Sequence, residues 1–248
     1  MLDQKNADEI GAILITGGAK RIGRGITIAL ATSSTVIIHY NQSEHEASAL
    51  ANQLLSLNIS AFTIKADLSN EKEVCSLIDN AAAKANQPIS VLINNASIFE
   101  DDTALSVSKA SFDKHMAVNL WAPLQLSQSL ALALPEGMSG HIINIIDQRV
   151  LNASTGFTSY TLSKSALWAQ TKNLSKELAP KIQVNAIAPG PVLKSIHQSN
   201  DDFANEVKSL PLQINPSTSD IARSVMFLLE NKAITGEMIT LDGGQHLL

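Results

Sequence analysis

The chain has 248 residues, 45% of them hydrophobic and 17% charged, with a formal net charge of −5. That is enough apolar material for one substantial core, and no Lys/Arg-rich block offers the basic field that nucleic acid or an anionic membrane needs. Cys75 is the single cysteine, which excludes an internal disulfide and a cysteine-rich zinc site; a small buried apolar role is expected for it.

The opening MLDQKNADEI lacks the basic start and apolar stretch of a secretory signal, and no apolar run reaches bilayer-spanning length. A soluble cytoplasmic protein with no metal site is expected. Short β-rich runs then recur: Ala12 to Thr16, Val36 to His39, Ala61 to Lys65, Val91 to Ile93, His141 to Ile146, Gln183 to Ile187 and Met238 to Leu241. Helical spacing fills stretches between them, at Arg24 to Ala31, Ala47 to Leu57, Glu71 to Ala85 and Ser163 to Leu178.

Strands alternating with helices predict a doubly wound α/β fold, because parallel strands need crossovers and the crossovers cover both faces of the sheet. No repeat or linker interrupts the rhythm, so residues 1–248 read as one domain. Residues 189–216, polar and bounded by prolines, form the one irregular stretch; a substrate lid and simple disorder are both open there.

The run ILITGGAKRIGRGI puts a glycine turn between the first strand and the first helix. Gly17 and Gly18 can take positive φ and let a phosphate approach the backbone, Gly23 permits close packing, and the helix N-terminus faces the anion. A dinucleotide site follows from that context. The second strand ends VIIHYNQS, without the acidic residue that would hold the ribose hydroxyls of NAD. His39, Tyr40, Asn41 and Ser43 offer neutral donors, while Lys20 and Arg21 bring positive charge into the glycine turn. This suits a 2′-phosphate and predicts NADPH. His39 has a second reading, as a packed strand-end residue.

Taken together, these residues resemble the short-chain dehydrogenase/reductases over nearly the whole chain. The matching features are Thr16-Gly17-x-x-x-Arg21-Ile22-Gly23, Asp67 in KADLSN, Asn94-Asn95-Ala96, Asn119 in MAVNLW, Tyr160-x-x-x-Lys164, Pro189-Gly190 and the closing LDGG. The resemblance implies a Rossmann-type sheet of seven strands in the order 3-2-1-4-5-6-7, with the cofactor across the strand C-termini, and commonly a homotetramer. It also implies that Gly17 and Ile22 border the cofactor with Lys20 and Arg21. Asp67 and Leu68 would lie by the adenine, Asn95, Ala96 and Ser97 along the cofactor, and Pro189 and Gly190 beside the nicotinamide. Tyr160 and Lys164 would be the catalytic pair, with Asn119 holding a water that joins Lys164 to solvent.

The pair also makes sense from helix geometry, since i and i+4 share a face. The ammonium is expected to lower the phenol pKa from its usual value of about 10 and make Tyr160 a general acid near neutrality.

Asp147 departs from the broad family pattern, which has a serine thirteen residues before the tyrosine. An ionised carboxylate donates no hydrogen bond and opposes negative charge on a carbonyl oxygen, so it suits a substrate with N–H groups or a ring nitrogen that must be protonated. It can accept from Tyr160 or, if burial raises its pKa, supply a proton. Arg21 in place of a glycine, the HYNQS strand end and Phe99 in NNASIF depart in the same direction. With Asp147 they resemble the pteridine reductase and dihydromonapterin reductase branch. That likeness implies a pterin sandwiched between Phe99 and the nicotinamide, oriented by Arg21 and Ser97, and protonated through Tyr160 and Asp147. Gln42 stands where that branch often carries arginine. A ketoreductase that tolerates Asp147 and a non-catalytic nucleotide sensor are the alternative functions. Trp121 and Trp168 mark helices that fit either an interface or the core.

Overall fold

The computed structural model describes residues 10–195 and 198–248; the first nine residues of the opening segment, and two residues inside the irregular stretch, lie outside it. Seven strands run β1 (Ala12–Ile15), β2 (Val36–Tyr40), β3 (Ala61–Lys65), β4 (Ile89–Asn94), β5 (Gly140–Ile145), β6 (Ile182–Pro189) and β7 (Met238–Leu241). They form one parallel sheet in the order β3-β2-β1-β4-β5-β6-β7.

The helices are α1 (Arg21–Leu30), α2 (Glu44–Leu55), α3 (Glu71–Ala85), α4 (Lys109–Met116), α5 (Ala122–Ala133), α6 (Thr158–Glu177), α7 (Asn200–Ser209) and α8 (Thr218–Glu230). A π-helical turn (Ala117–Trp121) joins α4 to α5. Among the described residues no helix is long and apolar enough to cross a membrane.

Period-2 alternation divides the core between the two faces of the sheet. In β1, Ile13 and Ile15 pack with Ile26, Leu30 and Val225 on one face, while Ala12 and Leu14 pack with Val74, Leu77 and Leu126 on the other. Because both faces are covered, β1 and β2 are buried at every position, which is why they read as continuous apolar runs.

Strand order reverses between β1 and β4, and their C-terminal ends part to make a crevice. Side chains stitch its floor. Thr16 Oγ1 accepts from the backbone N–H of Asn95 at 2.9 Å and of Ala96 at 3.0 Å, and Asn95 Nδ2 donates to the carbonyls of Thr16 at 2.9 Å and Gly17 at 3.1 Å.

Two expectations change. Cys75 sits on the exposed side of α3, one position past the buried Val74, and so is not a core residue. The irregular stretch contains a whole helix, α7, started by a capping box in which Ser199 and Asp202 each bond the other's backbone N–H. No residue of α7 is buried, so it lies on the surface as a cover rather than in the core.

Candidate active site

A cavity of about 1110 Å³ opens along the C-terminal ends of the strands. Gly17, Lys20, Arg21 and Ile22 line it beside the glycine turn, and Asn41, Gln42, Asp67 and Leu68 line it beyond β2 and β3. Asn95, Ala96, Ser97 and Phe99 follow from β4, then Asp147, Tyr160 and Lys164, then Pro189 and Gly190 at the end of β6.

The glycine turn fits a dinucleotide. Gly17 has φ +61°, and a Cβ there would stand 3.1 Å from Ala96 Cα. At Gly23 a Cβ would meet Gly17 O at 2.2 Å, so only glycine lets the turn close on α1. The backbone is thus left bare where a phosphate would approach the first turn of α1. Gly18, expected to share the positive φ, does not; Arg21 takes it instead, at φ +50°. This is the position where the common family motif has glycine, and the local backbone explains that preference. The guanidinium of Arg21 turns to the irregular stretch, donating to the carbonyls of Leu193 at 3.0 Å and Lys194 at 3.1 Å. Lys20 already has an anion, Glu46 of α2, at 2.6 Å, so its charge is not held open for a phosphate alone.

His39 lines the cavity yet is committed to the fold. Its Nδ1 accepts from Gly17 N–H at 3.1 Å, so Nε2 carries the proton and donates to Ala66 O at 3.1 Å. Burial lowers its pKa from 6.5 to about 4, against the opposing hydrogen bond to Ala66 and the charge of Asp67. The packed reading holds, and the ring has no N–H left for a phosphate. Tyr40 belongs to the hydrophobic core and Ser43 precedes α2; neither lines the cavity, which leaves Asn41 and Gln42 as the polar groups there. Asp67 Oδ1 is held by Ser69 through its backbone N–H at 2.9 Å and its hydroxyl at 2.7 Å, and these bonds keep the carboxyl below its ordinary pKa.

The reactive end is built on three strand ends and one helix. Asp147, just past β5, accepts the Arg149 N–H on Oδ1 at 2.9 Å and the Tyr160 hydroxyl on Oδ2 at 2.8 Å. Lys164, one turn beyond Tyr160 on α6, is 2% exposed and donates to Ile145 O at 2.7 Å. Burial raises the pKa of Asp147 despite bonds from Arg149 and Tyr160 and the charge of Lys164. Burial also pushes the phenol of Tyr160 well above 10, and the Asp147 carboxylate adds to the rise. Lys164 falls from 10.5 to about 8, again through burial, with Asp147 pulling the other way. The expected lowering of the phenol by the ammonium is therefore reversed: the near carboxylate and desolvation win.

Asn119 lies in the π-helical turn and does not line the cavity. Its Oδ1 accepts from Ile98 N–H at 2.8 Å, and its Nδ2 donates to Ile98 O at 3.0 Å and Ser163 Oγ at 3.0 Å. It ties the Ser97–Ile98 backbone to α6.

Three residues outside the sequence reading complete the reactive end. Phe99 stacks on Phe157, with centroids 4.2 Å apart and planes 5° apart, and meets Tyr160 edge-on at 4.7 Å. Arg149 lies 5.1 Å over the other ring of that stack, Phe157. Phe157 itself sits at φ +52°, a left-handed conformation that a bulky residue adopts only when its surroundings impose it. Asp102 imposes it. This buried carboxylate accepts from Ser159 N–H at 2.9 Å, from the Ser159 hydroxyl at 2.5 Å and from Ser111 Oγ at 3.1 Å, and so caps α6 from a distant loop. Burial opposes its ionisation, but those bonds outweigh it and hold the carboxyl below its ordinary pKa. The available sequence signals are Arg149 two places after Asp147 and an aromatic three places before Tyr160; Asp102 has none, because its partners are 57 and 9 residues away.

The model of the short chain dehydrogenase family matches residues 11–205. A solved structure of FolM alternative dihydrofolate reductase 1 from Brucella canis, complexed with NADP, is 44% identical with a TM-score of 0.94, over 97% of this chain and 95% of that one. A 3-oxoacyl-[acyl-carrier-protein] reductase FabG of Staphylococcus epidermidis is 29% identical over 94% of this chain and 98% of its own length. The chloroplastic NADPH-dependent aldehyde reductase 2 of Arabidopsis thaliana is 32% identical over 93% and 92%. The chain belongs to the short-chain dehydrogenase/reductase family.

Proposed function

We propose that the chain is an NADPH-dependent reductase of a pterin C=N bond, converting a dihydropterin such as dihydromonapterin or dihydrobiopterin to the tetrahydropterin, with dihydrofolate as a further candidate. The observation that carries the reading is the Tyr160 hydroxyl bonded to Asp147 at 2.8 Å beneath the edge-on ring of Phe99. A ketone needs a donor where Asp147 stands, whereas a ring nitrogen needs a proton. The FolM structure with NADP, at 44% identity, supports the same assignment and the choice of cofactor.

NADPH, when bound, supplies the hydride. In this reading Gly17, Arg21, Ile22 and Lys20 hold its phosphates, Asn41 and Gln42 take the 2′-phosphate, and Asp67 and Leu68 border the adenine. Asn95, Ala96 and Ser97 run along it, with Pro189 and Gly190 at the nicotinamide. The pterin lies flat against Phe99, oriented by Ser97 and Arg21. Tyr160 gives its proton to the ring nitrogen, and the Asp147 carboxyl, which accepts the phenol hydrogen in the resting site, positions that hydroxyl. Burial, which raises the pKa of both groups, keeps the proton on Tyr160 until the ring nitrogen takes it. Lys164 balances the negative charge left on the pair, and Asn119 positions α6 and the Ser97 loop together. A cytoplasmic homotetramer is part of the same proposal.

NADPH oxidation with dihydromonapterin, dihydrobiopterin, dihydrofolate and a β-ketoacyl substrate tests it; turnover of the ketone alone would sink it. The FabG relative, which covers 94% of this chain, supports a second reading as a ketoreductase. Asp147→Ser separates the two: the pterin reading expects loss of pterin turnover, the ketoreductase reading a gain on the ketone with pterin turnover intact.

A further inference from the structure

The cavity that contains Asp147 and Tyr160 is also lined by Phe203 and Glu206 of α7, by Gln198 ahead of that helix and by Gln245, which opens a 3-10 turn (Gln245–Leu247) after β7. Phe203 and Glu206 are three apart and share one face of α7. Glu206 Oε2 accepts from Gln198 Nε2 at 2.7 Å, and Oε1 accepts from Gln245 Nε2 at 3.3 Å. Gln245 belongs to the reactive end, since a Cβ on Gly190 would stand 3.2 Å from its Oε1.

Among the described residues no basic side chain pairs with Glu206. Two neutral amides orient the carboxylate without cancelling its charge, and it faces the cavity. Such a group accepts hydrogen bonds from hydroxyls and repels a second carboxylate.

We propose that Glu206, held by Gln198 and Gln245, sets specificity for the substituent on the bound ring, favouring a neutral hydroxyl-bearing side chain over one that carries carboxylates. The proposal rests on the pterin reading above and narrows it, placing polyol-bearing dihydropterins ahead of dihydrofolate. Glu206 is a specificity residue here and takes no part in proton transfer.

The test compares the unaltered protein with Glu206→Gln and Glu206→Ala on three substrates under NADPH. Dihydrobiopterin carries hydroxyls, dihydrofolate carries carboxylates, and 6-methyldihydropterin carries neither. Glu206→Gln is expected to raise kcat/KM for dihydrofolate about tenfold relative to the methyl compound, the effect of removing one like-charge contact. It is expected to lower kcat/KM for dihydrobiopterin and leave the methyl compound unchanged. The discrimination against dihydrofolate should also shrink with added salt in the unaltered protein. An unchanged dihydrofolate to dihydrobiopterin ratio, or an equal fall on all three substrates, overturns the proposal. Equilibrium binding of oxidised folate and biopterin to the NADP-loaded protein separates the two ideas. If no pterin is turned over, the functional reading fails, and a Glu206→Gln gain in folate affinity alone still supports the charge filter. No gain overturns the filter too.

Discussion

Acidification probes His39, the residue that joins the glycine turn to the sheet. Its ring is 2% exposed, accepts from Gly17 N–H on one nitrogen and donates to Ala66 O from the other. A second proton would turn Nδ1 from acceptor to donor, facing another donor. The unfolded chain takes that proton near 6.5, the folded chain only near 4. Between those values the unfolded state binds more protons, so the contribution is complete above about pH 6.5 and is lost as pH falls towards 4. The interval from 6.5 to about 4 is worth about 3 kcal/mol at 1.36 kcal/mol per decade. His39→Asn keeps an acceptor for Gly17 without titrating. Urea unfolding of both proteins from about pH 7 down to about pH 4 should show the native protein losing about 3 kcal/mol more than the variant. His141, also lowered to about 4 by burial, contributes equally to both curves and drops out of the difference. Parallel curves would refute the assignment of His39 as a buried neutral acceptor. In the folded protein the ring stays neutral until pH falls to about 4, so NADPH affinity should begin to drop only there, and in the native protein alone, if the turn it orders is the proposed phosphate cradle.

Asp102→Ala should cost about 3 kcal/mol by urea unfolding, because it strands the two Ser159 groups and the Ser111 hydroxyl. Asp102→Asn, which keeps an acceptor, should recover more than half of that, and equal losses would show that the cap is not the cause. Lys164 titrates at about 8, so NADPH affinity should fall as pH rises through that value. In Asp147→Asn that limb should move to lower pH, because the Asp147 charge raises the Lys164 pKa; a move upward contradicts the charge argument. Arg21→Gly relieves a left-handed residue worth about 1 kcal/mol but cuts both bonds to the segment at 193–194. Melting temperature should therefore change little, while KM for the proposed pterin substrate rises with kcat less affected; a fall in kcat at constant KM would count against this role.

Much of the fold is legible because β1 to β7 are short apolar runs in a strict rhythm, and parallel pairing leaves few topologies. What escapes is informative. The stretch from 109 to 133 shows no clean helical period, and the π-helical turn at Ala117–Trp121 accounts for this by inserting extra residues and shifting the apolar face between α4 and α5. The prolines around α7 mask a helix whose start is written in Ser199 and Asp202. At the site, motif positions give the cavity lining well, whereas Tyr40 points into the core because strand alternation, not the motif, decides its side. Phe157, Arg149 and Asp102 are reached only through tertiary contacts.

The reversal at Tyr160 has the widest chemical consequence. A Tyr and a Lys at i and i+4 suggest a phenol made acidic by an ammonium, yet Lys164 turns its Nζ to Ile145 O while Asp147 takes the phenol hydrogen. Desolvation and a near carboxylate then hold the proton on Tyr160. A phenol so held is poorly suited to start as a base, which oxidation of an alcohol or amine would require. It is well suited to start as an acid whose proton leaves only when a more basic acceptor arrives. A ring nitrogen that gains electron density on hydride addition is such an acceptor. The Asp147–Tyr160 contact thus biases the site towards reduction near neutrality. Asp147→Asn should weaken that bias by removing the charge that raises the phenol, extending measurable oxidation of a tetrahydropterin by NADP to lower pH; an oxidation profile unchanged in the variant would show that Asp147 does not govern the phenol.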